Sequence, residues 1–289
     1  MNSKGHFIIS EALGKFLQEY ACDLKYASSS NSHDRYPTYN AEDSVLLYQG
    51  QVRNGHAISV WSMNSNDRKT IISSFNELVH PVFSLDRRYI AYTEGNQERS
   101  ETDVILWDMV LNKTEKLNPK NTFAAIPMFN HKGTMLAFPI WANENNAVAN
   151  IALYDMKLNR VEKIIPTNTE SWRPIFSIDD KHVYFINKGD YFTIKRYDIL
   201  TEEISDVLAL PFDIWDITFS PSGNHMVFAG NKDGNWDLFY YSLTTKQVRQ
   251  LTKTIGNEWD PSFGETDNDL WFAGTFGIND GVFYRRVNL

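Results

Sequence analysis

Short apolar runs separated by polar turns recur along the whole chain. The clearest unit begins with Ile217-Thr218-Phe219, turns at Ser220-Pro221-Ser222-Gly223, and continues with Met226-Val227-Phe228-Ala229. A second turn, Asn231-Lys232-Asp233-Gly234, leads to Leu238-Phe239-Tyr240-Tyr241 and then to the more polar Val248-Arg249-Gln250-Leu251. At Trp259-Asp260-Pro261 the unit begins again. Runs of four to eight residues bounded by Gly, Asn, Asp and Pro predict strands, not helices.

The unit is a true repeat. Pro-x-aromatic opens it at Pro37-Thr38-Tyr39, Pro81-Val82-Phe83, Pro127-Met128-Phe129, Pro174-Ile175-Phe176 and Pro261-Ser262-Phe263, with Ile217 in the proline's place before Thr218-Phe219. These anchors lie 43–47 residues apart. Self-similarity at that period outranks local signals and points to a propeller or solenoid. The second run of each unit, such as Leu136-Ala137-Phe138 or Val183-Tyr184-Phe185, is apolar almost throughout. Such runs suit strands covered on both faces, as in a blade held between two neighbours. The fourth runs, such as Glu203-Ile204-Ser205-Asp206, are thin and charged, as solvent-facing edge strands are. The expected fold is all-β: a six-bladed β-propeller of four-stranded blades. Each proline is expected at the start of the innermost strand, an edge where a missing N–H costs no ladder bond.

Two features concern the ends. Ala12-Leu13, Phe16-Leu17 and Tyr20 fall at helical spacing, which predicts a short amphipathic helix from Ser10 to Ala21 in an extension covering residues 1–23. The repeat array occupies residues 24–289 and ends at Val287-Asn288-Leu289 without an outer strand of its own. A strand near Leu24-Lys25-Tyr26-Ala27 is expected to complete the last blade and close the ring.

Composition narrows the function. The chain has 289 residues, 42% of them hydrophobic, enough for one large domain. Its net charge of −8 and the absence of basic runs argue against a nucleic-acid groove. No stretch of about 20 apolar residues predicts a spanning helix. Cys22 is the only cysteine, so no internal disulfide and no cysteine metal cluster is expected. Neither a metal nor a cofactor is expected. Phe7-Ile8-Ile9 is too short for a secretory core, and a cytoplasmic setting is the expectation.

Phe219-Ser220-Pro221-Ser222-Gly223, Asp233-Gly234-Asn235-Trp236-Asp237-Leu238-Phe239 and Gln250-Leu251-Thr252 resemble the WD-repeat-like propeller repeats of the TolB family. Phe83-Ser84-Leu85-Asp86 and Phe176-Ser177-Ile178-Asp179 match in part, while Tyr39-Asn40 and Phe263-Gly264 depart from the pattern. The resemblance runs from about Leu24 to the end. It implies the propeller fold. For function it implies a protein-binding platform, the non-catalytic domain of a peptidase, or occasionally a lyase.

Candidate chemistry sits just before the anchors, at the expected channel mouth. Arg35-Tyr36, Trp172-Arg173, Trp215-Asp216 and Trp259-Asp260 place three tryptophans in register beside charged groups, as a ligand or peptide pocket needs. The candidate binding set is therefore Arg35, Tyr36, Trp172, Arg173, Trp215 and Trp259. The competing role for these tryptophans is packing between blades. His80, Asp216 and Asp260 are the candidate catalytic residues, a histidine base opposite carboxylates. A channel histidine also serves as a hydrogen-bonded structural residue. No Gly-x-Ser-x-Gly nucleophile motif and no phosphate-binding glycine motif occurs. Two functions follow: a module that binds a protein, peptide or small molecule at the mouth, or a lyase-, cyclase- or isomerase-type enzyme acting there on a small or glycan-like substrate.

Overall fold

In the computed structural model of the chain, residues 25–26, 33–96, 101–142, 148–276 and 279–288 are described. They form six antiparallel sheets, one for each repeat. Blade 1 runs Arg35–Asn40, Val45–Val52, Gly55–Ser62 and Arg68–Ser74; blade 2 runs Glu77–Phe83, Tyr89–Asn96, Glu101–Asp108 and Lys113–Lys116. In blade 3 the inner strand is split into Thr122–Ala124 and Met128–Phe129, both paired with Met135–Ala142, and Asn150–Asp155 and Arg160–Ile165 follow. Blade 4 comprises Ser171–Phe176, His182–Lys188, Phe192–Asp198 and Ile204–Leu210. Blade 5 comprises Asp213–Phe219, His225–Asn231, Trp236–Ser242 and Val248–Gln250. Blade 6 contains Asn257–Phe263, Asp269–Phe276 and Asn279–Arg286, and Lys25–Tyr26 pairs with the last of these. The described residues contain no helix. The helix expected over residues 10–21 lies outside the described residues.

The apolar second runs lie where the patterning placed them. Each pair of neighbouring blades shares an apolar cluster. Leu47 and Ile58 meet Leu78 and Ile90, and around the ring Leu46 and Tyr48 of blade 1 meet Trp271 and Val282 of blade 6. A sheet buried on both faces must be apolar on both, hence the unbroken runs. Hairpin turns add polar clasps between blades. Asp180 accepts hydrogen bonds from the backbone N–H groups of His131 (2.8 Å) and Lys132 (3.0 Å) in the preceding blade.

The prolines differ from expectation. Pro37, Pro81, Pro174 and Pro261 sit inside the inner strands, not at their starts, while Pro127 directly precedes the Met128–Phe129 segment. Register shifts occur between Arg35 and Thr38, Val79 and Val82, Trp172 and Ile175, Trp215 and Ile217, and Trp259 and Ser262. Each is one extra residue on the inner strand, a bulge, and bulges are where a strand tolerates proline. The residue at the bulge takes a left-handed backbone in all six blades: Tyr36 (φ 53°), His80 (53°), Ile126 (52°), Arg173 (54°), Asp216 (51°) and Asp260 (51°). For residues other than glycine this costs about 1–3 kcal/mol each. The six therefore persist only because the sheets on either side hold them.

Candidate functional site

The bulge re-aims one side chain per blade toward the propeller axis. Tyr36, His80, Ile126, Arg173, Asp216 and Asp260 all line an axial cavity of about 400 Å³. The lining also includes apolar side chains, among them Val82, Met128, Ile175 and Phe219, and the hydroxyls of Thr38, Thr218 and Ser262.

Within this waist, charge is concentrated on one side. Arg173 Nε lies 2.5 Å from Asp216 Oδ1, and its Nη2 lies 3.3 Å from Asp260 Oδ1. The first approach is an ion contact without hydrogen-bond alignment, since neither atom has an aligned partner. Asp216 Oδ2 accepts the backbone N–H of Asp260 at 2.9 Å. Two carboxylates thus share one guanidinium. Burial, and next the charge of Asp216, push the Asp260 carboxyl well above the usual carboxylate range, against the pull of Arg173. Arg173 also faces two rings, 5.7 Å from the Tyr36 centroid and 5.3 Å from that of Trp215.

His80 lies against Tyr36, with ring centroids 3.9 Å apart. Both its ring nitrogens are buried without a hydrogen-bond partner. Burial first, and Arg173 second, push its pKa well below 6.5. The imidazole is held neutral, which makes it a weak base. His33, at the rim, pairs with Asp280 at 3.0 Å.

The three tryptophans part company. Trp172 is 8% exposed and belongs to the apolar cluster between blades 4 and 5, so its main role is the packing one. Trp259 packs into the cluster between blades 5 and 6, and Arg35 Cζ lies 5.0 Å over its ring. Trp215 stands 37% exposed at the mouth, its ring centroid 5.5 Å from that of Trp172.

Four of the predicted binding residues line two separate recesses, while Arg173 lines the axial cavity and Trp259 lines none of the three. Arg35 and Tyr36 line a polar recess of about 300 Å³ with Gln49, His56 and Glu77, where Arg35 is tied to Asp280 at 3.1 Å. Trp172 and Trp215 line a different pocket, of about 420 Å³, with Trp141, Phe192, Trp236, Glu170, Lys188 and Asp213. The edge of Phe192 packs on Trp172 at 6.0 Å. Sequence reasoning missed Phe192, Trp236, Glu170, Lys188 and Asp213. For two of them a signal existed. Glu170 precedes Trp172 by two residues, and Asp213 precedes Trp215 by two. Residues two apart on a strand share a face.

Among the described residues, no group of three or more His, Cys, Asp or Glu is arranged to hold a metal ion. Nor is any helix among them long and apolar enough to cross a membrane.

The fold is that of the TolB propellers. A TolB from Acinetobacter baumannii superposes with a TM-score of 0.67 at 19% identity, covering 96% of this chain and 68% of that one. A structure described as a putative TolB from Agrobacterium tumefaciens gives 0.64 at 16% identity, over 76% and 77% of the two chains. An oligogalacturonate lyase from Vibrio parahaemolyticus gives 0.65 at 13% identity, over 92% and 93%. No protein-family profile and no curated protein matches the sequence. At these identities the likeness is one of fold.

Proposed function

We propose that this protein is a binding module that recognises a protein or peptide through the aromatic pocket at its channel mouth. One observation carries the reading. Trp215 keeps 37% of its surface exposed beside Trp172, at a pocket walled by five aromatic side chains from blades 3, 4 and 5. Exposed aromatic surface with a few polar groups is what recognition sites are built from. The charged waist, by contrast, is spent largely on itself, since Arg173 is shared between Asp216 and Asp260. The test is selection from a random peptide library on the wild-type protein, with Trp215→Ala as counter-selection. Peptides that lose about ten-fold or more in affinity on the variant support the reading. Peptides that bind both proteins equally overturn it.

A second reading is an enzyme working at the waist, and the unpartnered His80 beside the axial cavity favours it. Protonated Asp260 would act as acid, and His80 would orient substrate or accept a proton. An oligogalacturonate lyase shares the fold, so acidic oligosaccharides are the substrates to assay first. Turnover abolished by both His80→Ala and Asp260→Asn would place the enzyme reading first.

We infer also that residues 24–289 act as one unit. The pairing of Lys25 with Tyr284 and of Tyr26 with Phe283 supports an N-terminal strand as the closing piece of blade 6. Deleting residues 1–27 would then lower the unfolding temperature of the whole propeller in a single transition.

A further inference from the structure

The mouth pocket has a charge pattern that its role as a recognition site does not require. Its lining carries Glu170 and Asp213 against Lys188 alone. Neither carboxylate has a salt-bridge or hydrogen-bond partner for its side chain among the described residues. Lys188 is not aimed at them either; its Nζ lies 5.8 Å over the Phe192 ring.

Cations already occupy ring faces around this pocket. Lys188 covers Phe192, and Arg173 covers Trp215 from the waist side, 5.3 Å from its centroid. The faces of Phe and Trp are the negative part of their quadrupoles and attract cations. Trp141 and Trp236, which line the same pocket, carry no such cation among the described residues. The buried Trp172 contributes a second kind of group. Its Nε1–H has no acceptor, although the residue is only 8% exposed. A buried donor without an acceptor costs free energy, and the indole, whose ring lines the pocket, reports on what enters it.

From this we propose that the pocket takes a basic side chain, lysine or arginine, presented by a peptide segment of a partner protein. The aliphatic stem would lie among Trp141, Trp215 and Trp236. The cationic head would meet Glu170 and Asp213. The overall charge of −8 acts in the same direction, drawing basic partners at long range. This inference rests on the binding reading given above and names the chemistry of its ligand.

The experiment begins with peptides recovered by library selection on the wild-type protein and counter-selection on Trp215→Ala. Each recovered peptide is resynthesised with every basic residue changed singly to norleucine, which keeps the stem and removes the charge, and to glutamate. Affinities are measured at low and high salt, together with the tryptophan indole N–H resonances of the protein. One basic position is expected at which norleucine weakens binding by about ten-fold and glutamate abolishes it. Asp213→Asn and Glu170→Gln, both at exposed positions, should weaken the parent peptide and leave the norleucine peptide unchanged. The Trp172 indole resonance should shift on binding.

Peptides that need Trp215 but tolerate norleucine at every basic position overturn the cation inference and leave the binding reading standing. Peptides indifferent to Trp215→Ala, or no enrichment over that variant, overturn both.

Discussion

Arg173 and Asp216 approach to 2.5 Å, Nε to Oδ1, across the boundary between blades 4 and 5. Both occupy left-handed bulge positions, with φ of 54° and 51°. The pair is buried, with side chains 10% and 6% exposed, and Asp260 completes it from blade 6. Removing the cation leaves two buried carboxylates facing each other without their counter-charge. Arg173→Met should cost about 3–5 kcal/mol in urea unfolding. Adding Asp216→Asn and Asp260→Asn to that variant should recover part of the loss, because the waist is then uncharged. A triple variant no more stable than Arg173→Met would refute this account of the waist.

His80 should remain neutral across the range in which an exposed histidine titrates, roughly pH 5.5–7.5. Its burial and the neighbouring Arg173 both oppose a second proton. Its ring carbon and nitrogen shifts should therefore stay flat over that range. Neither ring nitrogen has a partner, so His80→Leu removes two unsatisfied groups and should leave stability equal or raised. A loss of more than about 2 kcal/mol would mean that a bound water or ligand engages the ring.

Stability should decline as pH rises from about 5 to about 8. Glu258 is fully buried and accepts from Thr252 Oγ1 at 2.9 Å, and burial pushes its carboxyl up to about 8. Asp237 close by adds to the rise. The folded protein thus holds a proton that the unfolded chain releases near the ordinary glutamate value of about 4.3. The contribution is fully present below about 4.3 and is lost progressively as pH climbs to about 8. Asp260 acts in the same direction. Glu258→Gln should flatten the fall between about pH 5 and 8, visible as a smaller drop in Tm. A wild-type protein more stable at pH 8.5 than at pH 5.5 would contradict the assignment.

Trp172 and Trp215 should separate stability from recognition. Trp172 is 8% exposed within an inter-blade cluster, and Trp172→Ala should cost about 3–5 kcal/mol through the cavity it leaves. Trp215 is 37% exposed, and Trp215→Ala should cost about 1 kcal/mol while removing the outer wall of the pocket. Thermal unfolding of the two variants checks the contrast. Equal costs would mean that both tryptophans are packing residues.

Blade number, blade order and the burial of the second strands could be read from the chain, because each follows from a pattern local to one repeat. Pro37, Pro81, Pro127, Pro174 and Pro261 mark the inner strands, and Leu136-Ala137-Phe138 has to be covered on both faces. The residues before those prolines were also visible as site candidates. Their division of labour was not. Arg173 and Asp260 are 87 residues apart and meet only because the ring brings every repeat to one axis. One extra residue in each inner strand aims Tyr36, His80, Arg173, Asp216 and Asp260 into the channel, while Trp172, Trp215 and Trp259 remain outside it. Phe192 and Trp236, on third strands of blades 4 and 5, join Trp172 and Trp215 through the packing of neighbouring blades. Strand alternation says which residues share a face. Where that face points is decided by the bulge and by closure of the ring, which no single repeat encodes.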